Sequence, residues 1–114
     1  MELQSHELES GILEISLAGR MDGAGAQQID LRFTALTATR KSPILVDLSQ
    51  VTFMASIGMH TLVSNAKAQR RRGGTMVLYQ PTVEVEEVLK SAGIDTIITI
   101  AHDMDGARKA LEVA

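Results

Sequence analysis

Few residues in this chain have the type and spacing to do chemistry. Ser56 stands in Ala55-Ser56-Ile57-Gly58, where a serine could be a nucleophile, a phosphate acceptor or a helix cap. A nucleophile needs a base within hydrogen-bond reach. The three histidines, His6, His60 and His102, show no motif spacing to it. The Gly-x-Ser-x-Gly elbow is absent because Met54 holds its first glycine position. No His/Asp/Glu group has metal-ligand spacing, and there is no cysteine for a thiolate, a disulfide or a Cys-based zinc site. Gly23-Ala24-Gly25 invites a dinucleotide reading, but Gln28 replaces the third glycine of Gly-x-Gly-x-x-Gly. Loop freedom before a helix accounts for the pair better. Asp47 resembles an acceptor aspartate at a strand end, yet the companion acidic pair is missing, so it is read as accepting loop amides. Catalytic residues, metal and cofactor are therefore all expected to be absent.

The elements that must position these residues follow from hydrophobic period. Residues 2–8 form an edge strand, Glu9-Ser10-Gly11 a turn, and Ile12 to Leu17 an alternating strand hairpinned to the first. Gly19 to Gly25 reads as a loop. A helical stripe follows at Ala26, Ile29, Phe33 and Leu36, ended by Lys41-Ser42-Pro43. Ile44-Leu45-Val46 is a short strand buried on both faces, ending at Asp47-Leu48-Ser49. Met59, Leu62, Val63 and Ala66 mark the next helix, which stops at Arg70-Arg71-Arg72-Gly73-Gly74 with cations against its dipole. The arginines read as a solvated helix end. Thr75 to Tyr79 is a strand and Pro81-Thr82 opens a third helix with Val85, Val88, Leu89 and Ala92 inward. Ile97 to Ile100 is the last strand, and Asp103 caps a final helix carrying Met104, Ala107 and Leu111.

Strands alternating with helices require crossovers. The expected fold is α/β, a mostly parallel sheet of four to five strands with an antiparallel edge strand, covered by about four helices. One domain should span residues 1–114. The chain is 45% hydrophobic but only 3% aromatic, so its core is aliphatic and stacking platforms for nucleic acid are not expected. A formal net charge of -3 also argues against a phosphate-backbone partner. The polar start Met1–Glu7 is unlike a signal peptide and no apolar run suits a membrane span. A cytoplasmic protein without membrane insertion is expected.

The strongest helix pattern begins at Ser56, which makes it a natural N-cap. Gly58 costs that helix about 1 kcal/mol relative to alanine, so something should compensate. Ile57 and Met59 flank it and are expected at the surface. Exposed apolar residues beside a small-residue helix start read as a docking site.

At this point the residues match a family. Asp47-Leu48-Ser49-x-Val51-x-Phe53-Met54-x-Ser56-x-Gly58-Met59 resembles the signature of STAS domains, in particular bacterial anti-sigma factor antagonists. Gly19-Arg20-Met21-Asp22, Arg72-Gly73-Gly74 and Val88-Leu89-x-x-Ala92-Gly93-Ile94 resemble further family positions. The resemblance implies a non-enzymatic module of transcription regulation by partner switching. Its partner would be an anti-sigma factor that is also a serine kinase of histidine-kinase-like ATPase fold, with a phosphatase reversing the modification. A homodimer stays open. The docking residues it implies are Asp22, Ser56, Ile57, Gly58 and Met59. Family members are phosphorylated on the serine or threonine just before the motif glycine. Here that position is Ile57, and the preceding family aspartate is Ala55. Either Ser56 is the phosphorylation site instead, or phosphorylation does not switch this chain. The alternative role is a non-sigma STAS subunit of a larger assembly, a stressosome scaffold or the accessory subunit of a lipid-transport ATPase.

Overall fold

The computed structural model describes residues 1–38 and 42–111. Lys41, the first residue of the predicted break, lies outside them, as do residues 112–114 of the expected domain. The strands are β1 (Glu2–Glu7), β2 (Leu13–Met21), β3 (Ile44–Met54), β4 (Met76–Tyr79) and β5 (Thr99–Ala101). The helices are α1 (Gly23–Ala38), α2 (Ser56–Arg71), α3 (Val83–Ser91) and α4 (Met104–Leu111). The five strands form one sheet in the order β1-β2-β3-β4-β5. β1 runs antiparallel to β2, and the remaining neighbours are parallel. This is the expected architecture.

Strand order decides where the helices go. Each crossover steps to the next strand in the same direction, and crossovers share one hand, so α1, α2 and α3 must fall on one face. Core packing agrees. Phe33 of α1, Leu62 of α2 and Leu89 of α3 share a cluster with Ile15, Val46 and Leu78. The helix α4 is not a crossover and is free to cover the other face, where Ala107 and Leu111 meet Leu45, Val77 and Ala101. A sheet that never reverses its strand order has no switch-point crevice, the usual seat of a nucleotide. All four helices follow the C-terminal ends of parallel strands, so all four begin at that edge.

Two expected loops are strand. The segment read as a loop from Gly19 belongs to β2 as far as Met21, and α1 begins at Gly23, three residues before the predicted Ala26. The strand β3 does not end at Ser49 but runs to Met54. Its pairing explains why alternation hid it. Ser16 faces Asp47 and Ala18 faces Gln50, so β3 carries one extra residue there. A second extra residue falls between the pairs Gly19–Val51 and Arg20–Phe53. Two bulges re-phase the strand, leaving Leu48, Val51 and Met54 buried at a spacing of three. Asp47 serves the first bulge, its Oδ1 accepting from the Ser49 amide at 2.9 Å, as the sequence reading held.

Side chains cap two helices, Asp103 as expected and Thr82 in addition. The Val85 amide donates to Thr82 Oγ1 at 3.3 Å, and the Gly106 amide donates to Asp103 Oδ1 at 2.6 Å. The last strand is shifted to Thr99–Ala101 because Ile94–Thr96 forms a 3-10 turn. In α3, Val85 and Leu89 are buried while Val88 and Ala92 are exposed. The arginines are not simply solvated. Arg70 donates to the Ile97 carbonyl at 2.7 Å, and Arg72 donates to the Thr37 carbonyl at 2.8 Å and to Gln69 Oε1 at 3.1 Å. They fasten the end of α2 to two neighbouring segments.

Candidate docking edge

The C-terminal ends of β2 and β3 bring the predicted residues to one place. The Ala55 amide donates to the Met21 carbonyl at 2.9 Å, which ties the start of α2 to the end of β2. Asp22 follows Met21 directly and Ser56 follows Ala55. Asp22, Ser56, Ile57, Gly58 and Met59 therefore share one edge, but they do not play the same part there.

Asp22 caps α1, its Oδ1 accepting from the Gly25 amide at 2.8 Å. That hydrogen bond is the main reason its pKa is held below the ordinary value of 3.8; desolvation opposes it, and the Arg20 charge lowers it further. The carboxylate remains part-exposed, with Arg20 Nε at 3.6 Å from Oδ2.

Ser56 is not the helix cap. The N-cap position belongs to Ala55, whose backbone is extended (φ -94°, ψ 170°) and whose side chain makes no cap hydrogen bond. Ser56 is the first helical residue, where a hydroxyl cannot turn back onto the free amides of the first turn. It is exposed. Ser56→Ala should therefore change unfolding free energy by less than about 0.5 kcal/mol in a denaturant titration. A loss of about 1 kcal/mol would restore the cap.

Gly58 faces inward. A Cβ there would lie 2.7 Å from Met21 Cγ and 3.1 Å from the Met21 carbonyl oxygen. The space beside this glycine is taken up by Met21, and close packing of α2 on β2 compensates its helix cost. Met59 is partly buried against the main core cluster. Ile57 alone of the apolar pair is exposed, with 48% of its surface accessible. It opens onto a groove of about 570 Å³ between α1 and α2, also lined by Asp30, His60 and Arg71.

Two further residues complete the edge. Phe53 is 40% exposed, turned outward by the second bulge of β3. The Arg20 guanidinium lies over its ring, 4.4 Å from the centroid. Both stand inside the stretches that carry the resemblance, but a bulge that pairs Arg20 with Phe53 leaves no trace in hydrophobic period.

Two of the three histidines are engaged by carboxylates away from Ser56. His6 lies 4.0 Å from Glu14, and His102 Nε2 lies 2.8 and 2.9 Å from the two oxygens of Glu86. That contact and Lys90 at 3.1 Å hold the Glu86 pKa below its ordinary 4.5. His60 faces the groove. Among the described residues no group of three or more His, Asp or Glu could hold a metal ion, and no helix is long and apolar enough to cross a membrane. The second glycine of Gly23-Ala24-Gly25 is closed off by backbone. A Cβ on Gly25 would stand 2.0 Å from the Arg20 carbonyl oxygen, while one on Gly23 would meet nothing within 4 Å.

The fold is a sequential mixed sheet with three helices on one face and an exposed edge at the start of α2. The STAS domain model matches residues 5–107, and the chain belongs to that family. BtrV of Bordetella bronchiseptica, described as an anti-sigma factor antagonist, is 26% identical over 104 residues, covering 91% of this chain and 90% of its own. A structure from Thermotoga maritima, likewise described as an anti-sigma factor antagonist, superposes with a TM-score of 0.85 at 19% identity, covering 96% of this chain and 93% of that one. The Bacillus cell fate determinant SpoIIAA in its phosphorylated form gives a TM-score of 0.67 at 16% identity, covering 95% of this chain and 98% of that one. The chain is thus a STAS domain, similar to proteins described as anti-sigma factor antagonists.

Proposed function

We propose that this domain docks an anti-sigma factor of histidine-kinase-like fold through the start of α2, frees a sigma factor by doing so, and is not switched by phosphorylation at that point. One observation carries the reading. The residue before the motif glycine is an isoleucine held half-exposed at the partner-accessible edge. A β-branched apolar side chain gains nothing from water there. It gains free energy only when a partner covers it, about 1 kcal/mol or more for the exposed half. A phosphoryl group at the same place would bring about two negative charges into that contact. Ile57 cannot carry one, so the docking surface stays permanently competent.

The test uses the purified histidine-kinase-like anti-sigma factors of the host bacterium, each incubated with the domain and ATP and read by intact mass. The wild-type domain should gain no phosphoryl group, and Ile57→Ser should gain one. A phosphoryl group found on Ser56 of the wild type would overturn the unswitched reading. Affinity capture that retains transporter ATPase subunits or other STAS proteins, and no such kinase, would overturn the sigma-pathway reading itself.

A further inference from the structure

We infer that Arg20 is the specificity-determining residue of the docking edge and that it takes a carboxylate side chain of the partner. This rests on the docking reading above and adds to it the chemistry of one contact. Arg20 is the penultimate residue of β2, beside the second bulge of β3, which sets it in register with Phe53. Its guanidinium is held from two sides. The Phe53 ring lies beneath it at 4.4 Å, and Asp22 Oδ2 stands 3.6 Å from Nε. Asp22 cannot swing further towards it, because Oδ1 is engaged by the Gly25 amide at 2.8 Å. The two terminal nitrogens of Arg20 have no acceptor among the described residues, and its side chain is 64% exposed.

A guanidinium whose flat face is stacked and whose fork is open has lost most of its rotamer freedom before any partner arrives. The fork matches a carboxylate in two parallel hydrogen bonds. The free energy otherwise needed to order a long side chain at an interface is largely spared. A simpler role, in which Arg20 only shields Phe53 from water, does not fit the exposure. Phe53 remains 40% exposed beneath the guanidinium. Arginine over an aromatic ring, with the apolar Ile57 on the same edge, has the composition of a binding hot spot.

The experiment measures the affinity of each purified host anti-sigma factor for wild type, Arg20→Lys, Arg20→Glu and Ile57→Asp. Arg20→Lys keeps the charge and loses the planar fork, so it should weaken binding about 10-fold. Arg20→Glu should weaken it about 100-fold, with the far-ultraviolet spectrum and melting temperature close to wild type. Reversing one Asp or Glu of the partner to Arg should recover most of the Arg20→Glu loss and none of the Ile57→Asp loss. Equal binding by wild type and Arg20→Glu, with Ile57→Asp still defective, overturns this assignment and leaves the docking reading standing. A binding loss in Arg20→Glu that no single carboxylate reversal on the partner recovers overturns the carboxylate contact. Failure of every anti-sigma factor to bind the wild type overturns both.

Discussion

Ile57→Asp should abolish docking while the domain keeps its stability. Ile57 is the second residue of α2 and 48% exposed, so the substitution removes only part of a buried side chain. That loss is about 1 kcal/mol. A carboxylate in the first turn is favoured by the helix dipole by about 0.3–1 kcal/mol, which offsets most of it. The net change in unfolding free energy should stay within about 1 kcal/mol. Binding responds differently. The partner must cover the exposed half of this side chain, and a charge there would be desolvated without a counter-charge. A loss of about 2–4 kcal/mol, or roughly 30- to 1000-fold in Kd, is the range of a central contact. Isothermal titration against the anti-sigma factor, beside a urea titration of the same variant, separates the two. A stability loss of several kcal/mol with binding retained would make Ile57 a core residue and remove it from the edge.

What the sequence disclosed about this edge, and what it withheld, has a common cause. Hydrophobic period placed Leu62 and Ala66 of α2 and Val85 and Leu89 of α3 in the core, where they lie. Those helices pack on a regular sheet, and period survives regular packing. It failed at Gly19–Met21 and at Val51–Met54, the two stretches that build the edge. There β3 carries an extra residue twice, so buried positions fall three apart and the strand reads as a loop. The misplaced cap has a related origin. Ser56 is the residue type that caps helices, but Ala55 holds the extended backbone of the cap, and its methyl group gives no local sign of that. Residue type alone cannot say which of two neighbours is the first helical one. Gly58 was legible as a cost but not as its compensation, because Met21 is distant in sequence.

The same geometry gives the edge its rigidity. One strand end, β2, serves three neighbours at once. The Met21 carbonyl accepts from Ala55, the Met21 side chain packs on Gly58, and the Asp22 carboxylate caps α1. The exposed side chains Arg20, Phe53 and Ile57 are thereby mounted on backbone that cannot shift independently. A docking surface built this way loses little freedom on binding, which favours affinity from a small patch.

Gly25→Ala tests that rigidity and should be among the most damaging single-methyl additions in the chain. The new Cβ would meet the Arg20 carbonyl oxygen at 2.0 Å, the Arg20 carbonyl carbon at 3.1 Å and Asp22 Oδ1 at 3.2 Å. The first obstacle is backbone within the β2 pairing and cannot rotate aside as a side chain could. The first turn of α1 must move outward instead. That stretches the Gly25 amide to Asp22 Oδ1 contact and the Ala26 amide to Asp22 carbonyl contact, both 2.8 Å. Overpacking of this kind costs about 1–3 kcal/mol, and loss of the cap adds about 1 kcal/mol. A total near 3 kcal/mol should appear as a lower urea midpoint with an unchanged slope. Gly23→Ala is the internal control. A Cβ there has nothing within 4 Å, and alanine lowers the entropy of the unfolded chain, so stability should hold or rise by up to about 1 kcal/mol. The two glycines would then separate by function: Gly25 is required because a carbonyl fills its side-chain space, and Gly23 is dispensable. Equal tolerance at both would mean that the end of β2 yields, and a yielding strand end could not hold Arg20 over Phe53.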